Sequence, residues 1–375
     1  MIAPQTIFNL FQQEGLTFYT GVPDSLLKDF CAYITDNTSK ENHVITANEG
    51  NAIALAAGYH LATGKCGVVY LQNSGLGNCI NPLTSLTDKE VYSIPLLLII
   101  GWRAQPGKHD EPQHCKMGRI TLPLLAVLEI PYEILPENQE EAMTVVQKAS
   151  HHLATEKTPY AIVVREGTFE SYSLRTKTET NFPLVREEAL KIVTSLLDPA
   201  DLVVATTGKT SRELFEFRKS SGHDHNKDFL TVGSMGHSSS IALGIALQHS
   251  HRTIYCFDGD GAAIMHLGAL STIGKLQPQN LKHIIFNNFA HDSVGGQPTA
   301  ADVVDFLEIA TASGYTKAIT AATVDEIYQK MKELKETTGP VLLEIRCNKG
   351  ARKELGRPTR TPHENKTDFM SFVRK

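Results

Sequence analysis

Short apolar runs recur along this chain, and stretches with helical spacing of apolar residues fill the intervals between them. In the first half the runs are Phe18 to Val22, His43 to Ala47, Cys66 to Leu71, Ile94 to Ile100 and Tyr160 to Val164. In the second half they are Leu202 to Thr206, Phe229 to Val232, Thr253 to Phe257, Leu281 to Phe286 and Val341 to Ile345. A strand that is apolar throughout, rather than at every second residue, has both faces covered, as in a parallel sheet. Strands of that kind alternating with helices predict α/β architecture. Between the two sets the residues from Phe169 to Pro183 are polar and non-periodic. The reading is therefore two similar doubly wound parallel-sheet domains, 1–170 and 184–375, joined by a linker at 171–183.

Composition narrows the function classes. The 375 residues are 41% hydrophobic and 21% charged, with a formal net charge of -5, as expected of a globular chain. No basic face is apparent, which argues against nucleic acid as a partner. The longest apolar run, Ile94 to Ile100, falls far short of the ~20 residues that a membrane-spanning helix needs, so no membrane is expected. The N-terminal residues lack the basic start and apolar stretch of a signal peptide, and the six cysteines include no Cys-x-x-Cys pair. Both features predict a cytoplasmic protein with reduced thiols.

Gly259-Asp260-Gly261 follows one apolar run, and Asn287-Asn288 ends the next. The residues between, Ala262 to Leu276, have the spacing of a helix, with Ile264, Leu267, Leu270, Ile273 and Leu276 on one face. This strand–helix–strand unit brings a carboxylate and a carboxamide to the same ends of two parallel strands, where open α/β sheets bind ligands. Carboxylate, amide and carbonyl oxygens are hard donors suited to Mg²⁺. A second signal is Glu49, which opens the Ala/Gly-dense stretch from Gly50 to Tyr59.

Other loops also follow strands. Thr206 to Ser211 is not a P-loop, because Val203 stands where that motif needs glycine. Its Thr210 and Ser211 still suit an anion at a helix start, or an ordinary helix cap. The stretch from Asn73 to Pro82, with Gly75, has Ile80 in place of the third glycine of a dinucleotide fingerprint. Gly233 and Gly236 allow backbone to approach a flat ligand closely, and Met235 between them is either a packing residue or a ligand contact. Asp24 and Ser25 either cap the helix that follows or face a substrate. Arg103, Lys108, His109 and His114 form a set that could bind an anion or donate protons. The segment 348–362 holds Lys349, Arg352, Lys353, Arg357 and Arg360, as a solvated tail or as a basic loop folded near an anionic ligand.

Together these segments resemble the thiamine-diphosphate-dependent 2-oxo acid decarboxylases, in particular the small branch that acts on 3-phosphonopyruvate. The matching pieces run in order from Gly21-Val-Pro-Asp-Ser25 through Asn48 to Ala52, Asn73 to Asn78, Gly101 to Arg103, Asp110 to His114, Thr207 to Glu213 and Gly233 to His237. They continue through the Asp260/Asn288 unit and Ser293 to Thr299, ending at Leu355 to Thr359. One departure is Phe289, where glycine would be expected after the Asn pair.

The resemblance implies two domains of the thiamine-diphosphate-binding fold, pyrimidine-binding then diphosphate-binding, with no middle domain. It implies thiamine diphosphate and Mg²⁺ as cofactors. Asp260 and Asn288 would hold the metal by side chain and Ala290 by its carbonyl. Glu49 would hydrogen-bond the aminopyrimidine. Asn73, Gly75, Thr210, Ser211, Gly233, Met235, Gly259 and Gly261 would line the cofactor. Asp24, His109 and His114 would manage protons beside Glu49, and Ser25, Arg103, Lys108, Arg357 and Arg360 would meet the substrate. The implied reaction is non-oxidative decarboxylation of a phosphonate-bearing 2-oxo acid, 3-phosphonopyruvate, to phosphonoacetaldehyde and CO₂ in phosphonate biosynthesis. The implied assembly is a homodimer or higher homo-oligomer with active sites at the subunit interface. Two alternatives are a sulfopyruvate decarboxylase, against which the single fused chain and Leu355 to Thr359 weigh, and a non-catalytic subunit of the same fold.

Overall fold

The computed structural model describes residues 1–175, 180–352 and 354–374. The chain divides into two compact units, Met1–Lys177 with Val294–Gln297, and Thr178–Ser293 with Pro298–Lys375.

In the first unit β1 (Phe18–Gly21), β2 (His43–Ile45), β3 (Gly67–Gln72), β4 (Leu96–Gly101), β5 (Tyr132–Ile134) and β6 (Tyr160–Val164) form one sheet, in the order β2-β1-β3-β4-β6-β5. Every pairing in it is parallel. Its helices are α1 (Pro4–Gln13), α2 (Lys28–Asn37), α3 (Glu49–Thr63), α4 (Leu76–Thr84), α5 (Pro112–Val127) and α6 (Gln139–Thr155).

In the second unit β7 (Leu202–Ala205), β8 (Asp228–Leu230), β9 (Ile254–Gly259), β10 (Leu281–Asn287), β11 (Lys317–Ala321) and β12 (Val341–Arg346) form another all-parallel sheet, in the order β11-β12-β10-β9-β7-β8. Its helices are α7 (Arg186–Ser195), α8 (Lys209–Ser220), α9 (Ser238–Gln248), α10 (Asp260–Met265), α11 (Ala269–Leu276), α12 (Phe306–Ala312), α13 (Val324–Glu336) and α14 (Pro362–Val373). Counted from the first strand of each unit, the two strand orders are the same. In both, the order reverses beside the first strand, which places the switch point between the first and third strands.

The two-faced burial expected of continuous apolar strands is present. On β3, Val68 and Tyr70 enter one core while Val69 and Leu71 enter the other. On β9, Tyr255 and Phe257 face one side while Ile254 and Cys256 face the other. Alternation of side chains across a strand fills the layers beneath both sets of helices.

Several expectations change. The stretch from Ala262 to Leu276 is two helices, because His266 leaves helical geometry (φ -132°, ψ 49°) before α11 begins. β5 and β11 add strands that the apolar runs did not indicate. The C-terminal part is not a solvated tail throughout. It ends in α14, opened by a capping box between Thr361 and Glu364 with Pro362 in the first turn, and it buries Phe369 and Val373.

The flanks of the expected linker are pinned within their own units. Tyr172 donates its N–H to Asp29 (3.0 Å) and its hydroxyl to Asp36 (3.1 Å), and the Phe182 N–H donates to Asn348 Oδ1 (3.0 Å). Residues 176–179 of that linker, and Lys353 of the basic segment, lie outside the described residues.

Candidate active site

In the first unit, β2 ends shortly before α3, whose N-cap Asn48 accepts the Asn51 N–H (3.0 Å). This puts Glu49 in the first turn, where an acidic side chain is favoured. Glu49 is 6% exposed, and its Oε2 accepts from Asn78 Nδ2 (2.7 Å). Gly75 makes this placement possible, since a Cβ there would sit 2.3 Å from Glu49 Oε1. Gly75 thus shapes the seat of the carboxyl itself.

Asp24, in the loop after β1, is wholly buried. Its Oδ2 accepts the N–H groups of Leu26 (3.1 Å) and Leu27 (3.3 Å), so it does cap the following turn. Gly101, at the end of β4, gives it room, because a Cβ there would fall 2.0 Å from Asp24 Oδ2. Burial pushes the Asp24 carboxyl up to about 6, against the pull of Arg103 and the backbone N–H groups. It is therefore an acid that can exchange its proton near neutrality.

Arg103 already has an anion. Its Nε and Nη2 grip Asp110 (2.8 and 2.5 Å), and its Nη1 donates to Ser25 Oγ (2.8 Å). Burial works against ionisation of Asp110. The Arg103 fork and the N–H groups of Glu111 and Ala104 outweigh it and hold Asp110 well below the usual carboxylate range. Asn73 is also engaged: its amide donates to the Arg103 carbonyl and to Thr121 Oγ1 (both 3.0 Å), tying the end of β3 to the loop after β4. Lys108 and His109 are exposed in that loop, whereas His114 is buried on α5.

In the second unit, Asp260 opens α10 directly after β9, and β10 runs beside β9 with Phe286 opposite Gly259. Asp260, Asn288 and Ala290 are all buried. Burial pushes Asp260 up to about 6 despite hydrogen bonds from Thr299 Oγ1 (2.5 Å) and from backbone N–H groups that include Gly261 and Asn288. A divalent cation would offset that cost of burial. Asn288 donates Nδ2 to Asp292 Oδ2 (2.9 Å), which leaves Oδ1 as its ligating end. The three oxygen donors fit Mg²⁺.

Phe289 has φ 59° and stacks on Phe182, with centroids 5.9 Å apart. That left-handed conformation is one that glycine adopts without cost, which explains why glycine would be expected there.

Ser211 donates its hydroxyl to the carbonyls of Thr206 (2.7 Å) and Ala205 (3.3 Å), so its backbone N–H at the start of α8 is what it can offer an anion, beside Thr210. The Gly233 N–H donates to Thr207 Oγ1 (3.1 Å), and half-buried Met235 follows it. Arg360 pairs with Asp368 (3.2 Å), while Arg357 is exposed.

Sequence reasoning missed Thr299, Asp292 and His291. The ring of His291 lies against Gly261, and burial pushes it down to about 4. Thr299 and Asp292 flank the Gly295-Gly296 turn. That turn was the available signal, since a Gly-Gly pair after a ligand loop bends the chain back toward it.

Residues 1–120 match the family described as thiamine pyrophosphate enzyme, N-terminal TPP binding domain, and residues 206–345 match the corresponding C-terminal TPP binding domain. Phosphonopyruvate decarboxylase of Streptomyces hygroscopicus is 35% identical over 96% of this chain and 91% of its own. The chain belongs to the thiamine pyrophosphate enzymes. A second phosphonopyruvate decarboxylase, from Streptomyces viridochromogenes, is also 35% identical, over 96% of this chain and 92% of its own. Sulfopyruvate decarboxylase of Methanosarcina acetivorans is 28% identical over 88% of each chain.

The resemblance read from the motifs thus extends along nearly the whole chain, and these relatives, matched over most of their own length, are decarboxylases. One expected discriminator fails. The Methanosarcina sulfopyruvate decarboxylase spans both halves in a single chain, so fusion of the halves does not separate the two substrates.

Proposed function

We propose that this thiamine pyrophosphate enzyme is a Mg²⁺-dependent carboxy-lyase that converts 3-phosphonopyruvate to phosphonoacetaldehyde and CO₂, in the cytoplasm, as a step of phosphonate biosynthesis. The observation that carries it is the Glu49 carboxyl, buried and held between Asn78 and Gly75, in a chain that aligns end to end with phosphonopyruvate decarboxylases. Thiamine diphosphate, when bound, supplies the electron sink that lets a 2-oxo acid lose CO₂. The chain supplies orientation and charge.

Glu49 presents its carboxyl to the aminopyrimidine. Asp260, Asn288 and the Ala290 carbonyl hold Mg²⁺. Gly259 and Gly261 bracket Asp260, Thr210 and Ser211 offer backbone N–H groups to the diphosphate, and Gly233 and Met235 support the rings. Asp24, poised near neutrality by burial, stores and returns the proton that decarboxylation requires, with His109 and His114 as further donors. Because the substrate is doubly anionic, it needs cations. Lys108 and Arg357 serve it, with Arg360 drawn from its exposed pair with Asp368, and Arg103, already matched by Asp110 in a more buried pair, orients Ser25 toward it.

The minimal active unit is a homodimer with active sites at the subunit interface. In support, α3 leaves Ala54, Leu55, Gly58, Leu61 and Ala62 exposed along one face, with Leu61 at 73%. A face of small and apolar residues suits close packing against a second copy.

A second reading, sulfopyruvate as substrate, is favoured by the full-length Methanosarcina relative. Both acids carry a tetrahedral anionic group, so CO₂ release from each, measured with Mg²⁺ and thiamine diphosphate, separates the readings. Faster release from 3-phosphonopyruvate is expected; faster release from sulfopyruvate sinks the first assignment.

A further inference from the structure

Two polar clusters in the second unit adjoin the donor set. In the first, Asp258 Oδ2 faces His283 Nε2 at 3.5 Å, Asp258 Oδ1 takes the Gly259 N–H (3.2 Å), and His283 Nδ1 meets the Tyr315 hydroxyl (3.1 Å). Asp258 Oδ2 and His283 Nε2 are buried without a hydrogen-bond partner among the described residues and face each other, and the Cys256 thiol beside them is buried too. The second cluster centres on Asp292 and does something that the donor set cannot do for itself.

Asn288 differs from the other two donors because an amide has two ends. Rotated by half a turn, it would present a nitrogen to the cation, with its hydrogens foremost. Asp292 decides between the two orientations. An ionised carboxylate only accepts hydrogen bonds, so only the amide nitrogen can face it. Asn288 Nδ2 donates to Asp292 Oδ2 at 2.9 Å, while Asn288 Oδ1 takes the Ala290 N–H at 3.3 Å.

The same Asp292 oxygen accepts the Gly350 N–H (3.1 Å) and Arg186 Nη1 (3.4 Å). The Asp292 backbone carbonyl accepts Lys209 Nζ (2.8 Å) at the start of α8. Arg186 is itself locked to Glu213 (2.8 and 2.9 Å). Beyond Gly350, Arg352 and Gly356 are tied to α7 and α8. Arg352 Nε donates to Glu187 Oε2 (2.8 Å), Arg212 Nε to the Gly356 carbonyl (2.7 Å), and the Gly356 N–H to Glu216 Oε1 (2.6 Å). The basic segment is a strap, and its Gly350 N–H lands on the carboxylate that orients Asn288.

We propose that Asp292 is a positioning residue that fixes the oxygen end of Asn288 for the cation and couples that orientation to docking of the strap that starts at Gly350. The inference rests on the Mg²⁺ role given to Asp260 and Asn288 above. Residues that orient a metal ligand typically set ~10–100-fold of the metal affinity.

The test is calorimetric titration of Mg²⁺ into the full-length protein with thiamine diphosphate present, together with hydrogen exchange at Gly350 and Gly356. Asp292→Ala is expected to weaken Mg²⁺ binding by ~10–100-fold and to speed exchange at Gly350. Asp292→Asn keeps an oxygen that can accept from Asn288 and is expected to stay within about threefold of the parent, since one acceptor is enough to set the amide. If the alanine variant does not fold, Asp292→Leu, of similar size and with no acceptor, is read in its place with the same expectation.

Unchanged Mg²⁺ affinity in Asp292→Ala, or an equal loss in Asp292→Asn, overturns the orienting role. The Asp260→Ala variant distinguishes the levels. If it too binds Mg²⁺ normally, the metal assignment itself is wrong. If it loses the metal while Asp292→Ala does not, only the orienting role falls.

Discussion

The two units share one strand order and differ in what hangs from it. After the second strand of each, the first unit places Glu49 and the second places Gly233 and Met235. After the first strand stand Asp24 in one and Thr210 and Ser211, at the start of α8, in the other. After the third stand Asn73 and Asp260, and after the fourth Arg103 and Asn288. The first unit thus carries two carboxyl groups, Glu49 and Asp24, in buried seats cut by Gly75 and Gly101. The second carries oxygen donors and backbone N–H groups suited to a cation and a diphosphate. The shared topology fixes where chemistry can sit, at the carboxyl ends of strands beside the switch point. The residues there fix which chemistry it is.

The sharpest way to break that division is a pair of substitutions, one in each unit. Glu49→Gln keeps size and hydrogen bonding but removes the ionisable group. It is expected to lower decarboxylation by about a thousandfold, within the range of a lost acid–base group, while calorimetric affinity for thiamine diphosphate stays within a few-fold. Asp260→Ala should do the reverse and reduce Mg²⁺-dependent cofactor binding by about a hundredfold or more, because it removes the only charged donor of the proposed set. If Glu49→Gln turns over normally, or if both variants fail in binding, the separation of roles between the units is lost.

Asp24 offers a pH test confined to the first unit. Its folded-state value of about 6 lies above the 3.8 of an ordinary aspartate, so the folded protein holds this proton more tightly than the unfolded chain does. The associated stability is complete below about pH 4 and is lost as the pH rises through 6, on the order of 3 kcal/mol in all. Asp24→Asn is neutral at every pH. By urea denaturation it should match the parent near pH 4 and exceed it at pH 8. It should also lower turnover by about a hundredfold if Asp24 stores the catalytic proton. A variant no more stable than the parent at pH 8 would show that burial does not strain this carboxylate.

How much of this was legible in the sequence follows from what kind of signal each feature leaves. The central strands β3, β4, β9 and β10 could be read because burial on both faces demands an unbroken apolar run. β5 and β11 could not. They are the same edge strand in each sheet, half-exposed over Tyr132-Glu-Ile134 and Lys317 to Ala321, and an edge needs little apolar surface. Glu49, Asp260 and Asn288 were found because their place in a strand–loop–helix pattern is local. Asp292 and Asp110 were not assigned roles, because what they do depends on partners. Asp110 cancels Arg103, which looked like a free anion anchor, and Asp292 acts on Asn288 through a loop. α14 was missed although Thr361-Pro-His-Glu364 is a helix-opening signature, since the basic stretch before it suggested a tail.

That last helix is where the second unit departs from the first in structure as well as chemistry. β8 is an edge strand, and an edge leaves backbone groups unpaired. Asn365, on α14, answers both polarities at once. Its Nδ2 donates to the Asp228 carbonyl (2.8 Å), and its Oδ1 accepts the Leu230 N–H (3.0 Å). The amide mimics a neighbouring strand. Asn365→Ala strands two buried backbone groups and should cost about 2 kcal/mol in chemical denaturation, with turnover at 25 °C little changed, because α14 meets the strand and not the donor set. Asn365→Asp separates the two bonds. It keeps the acceptor for Leu230 but sets a carboxylate oxygen against the Asp228 carbonyl, so it should be at least as unstable as the alanine variant. If the aspartate variant were as stable as the parent, the donated bond would be idle, and α14 would close the edge by apolar packing through Phe369 and Val373 alone.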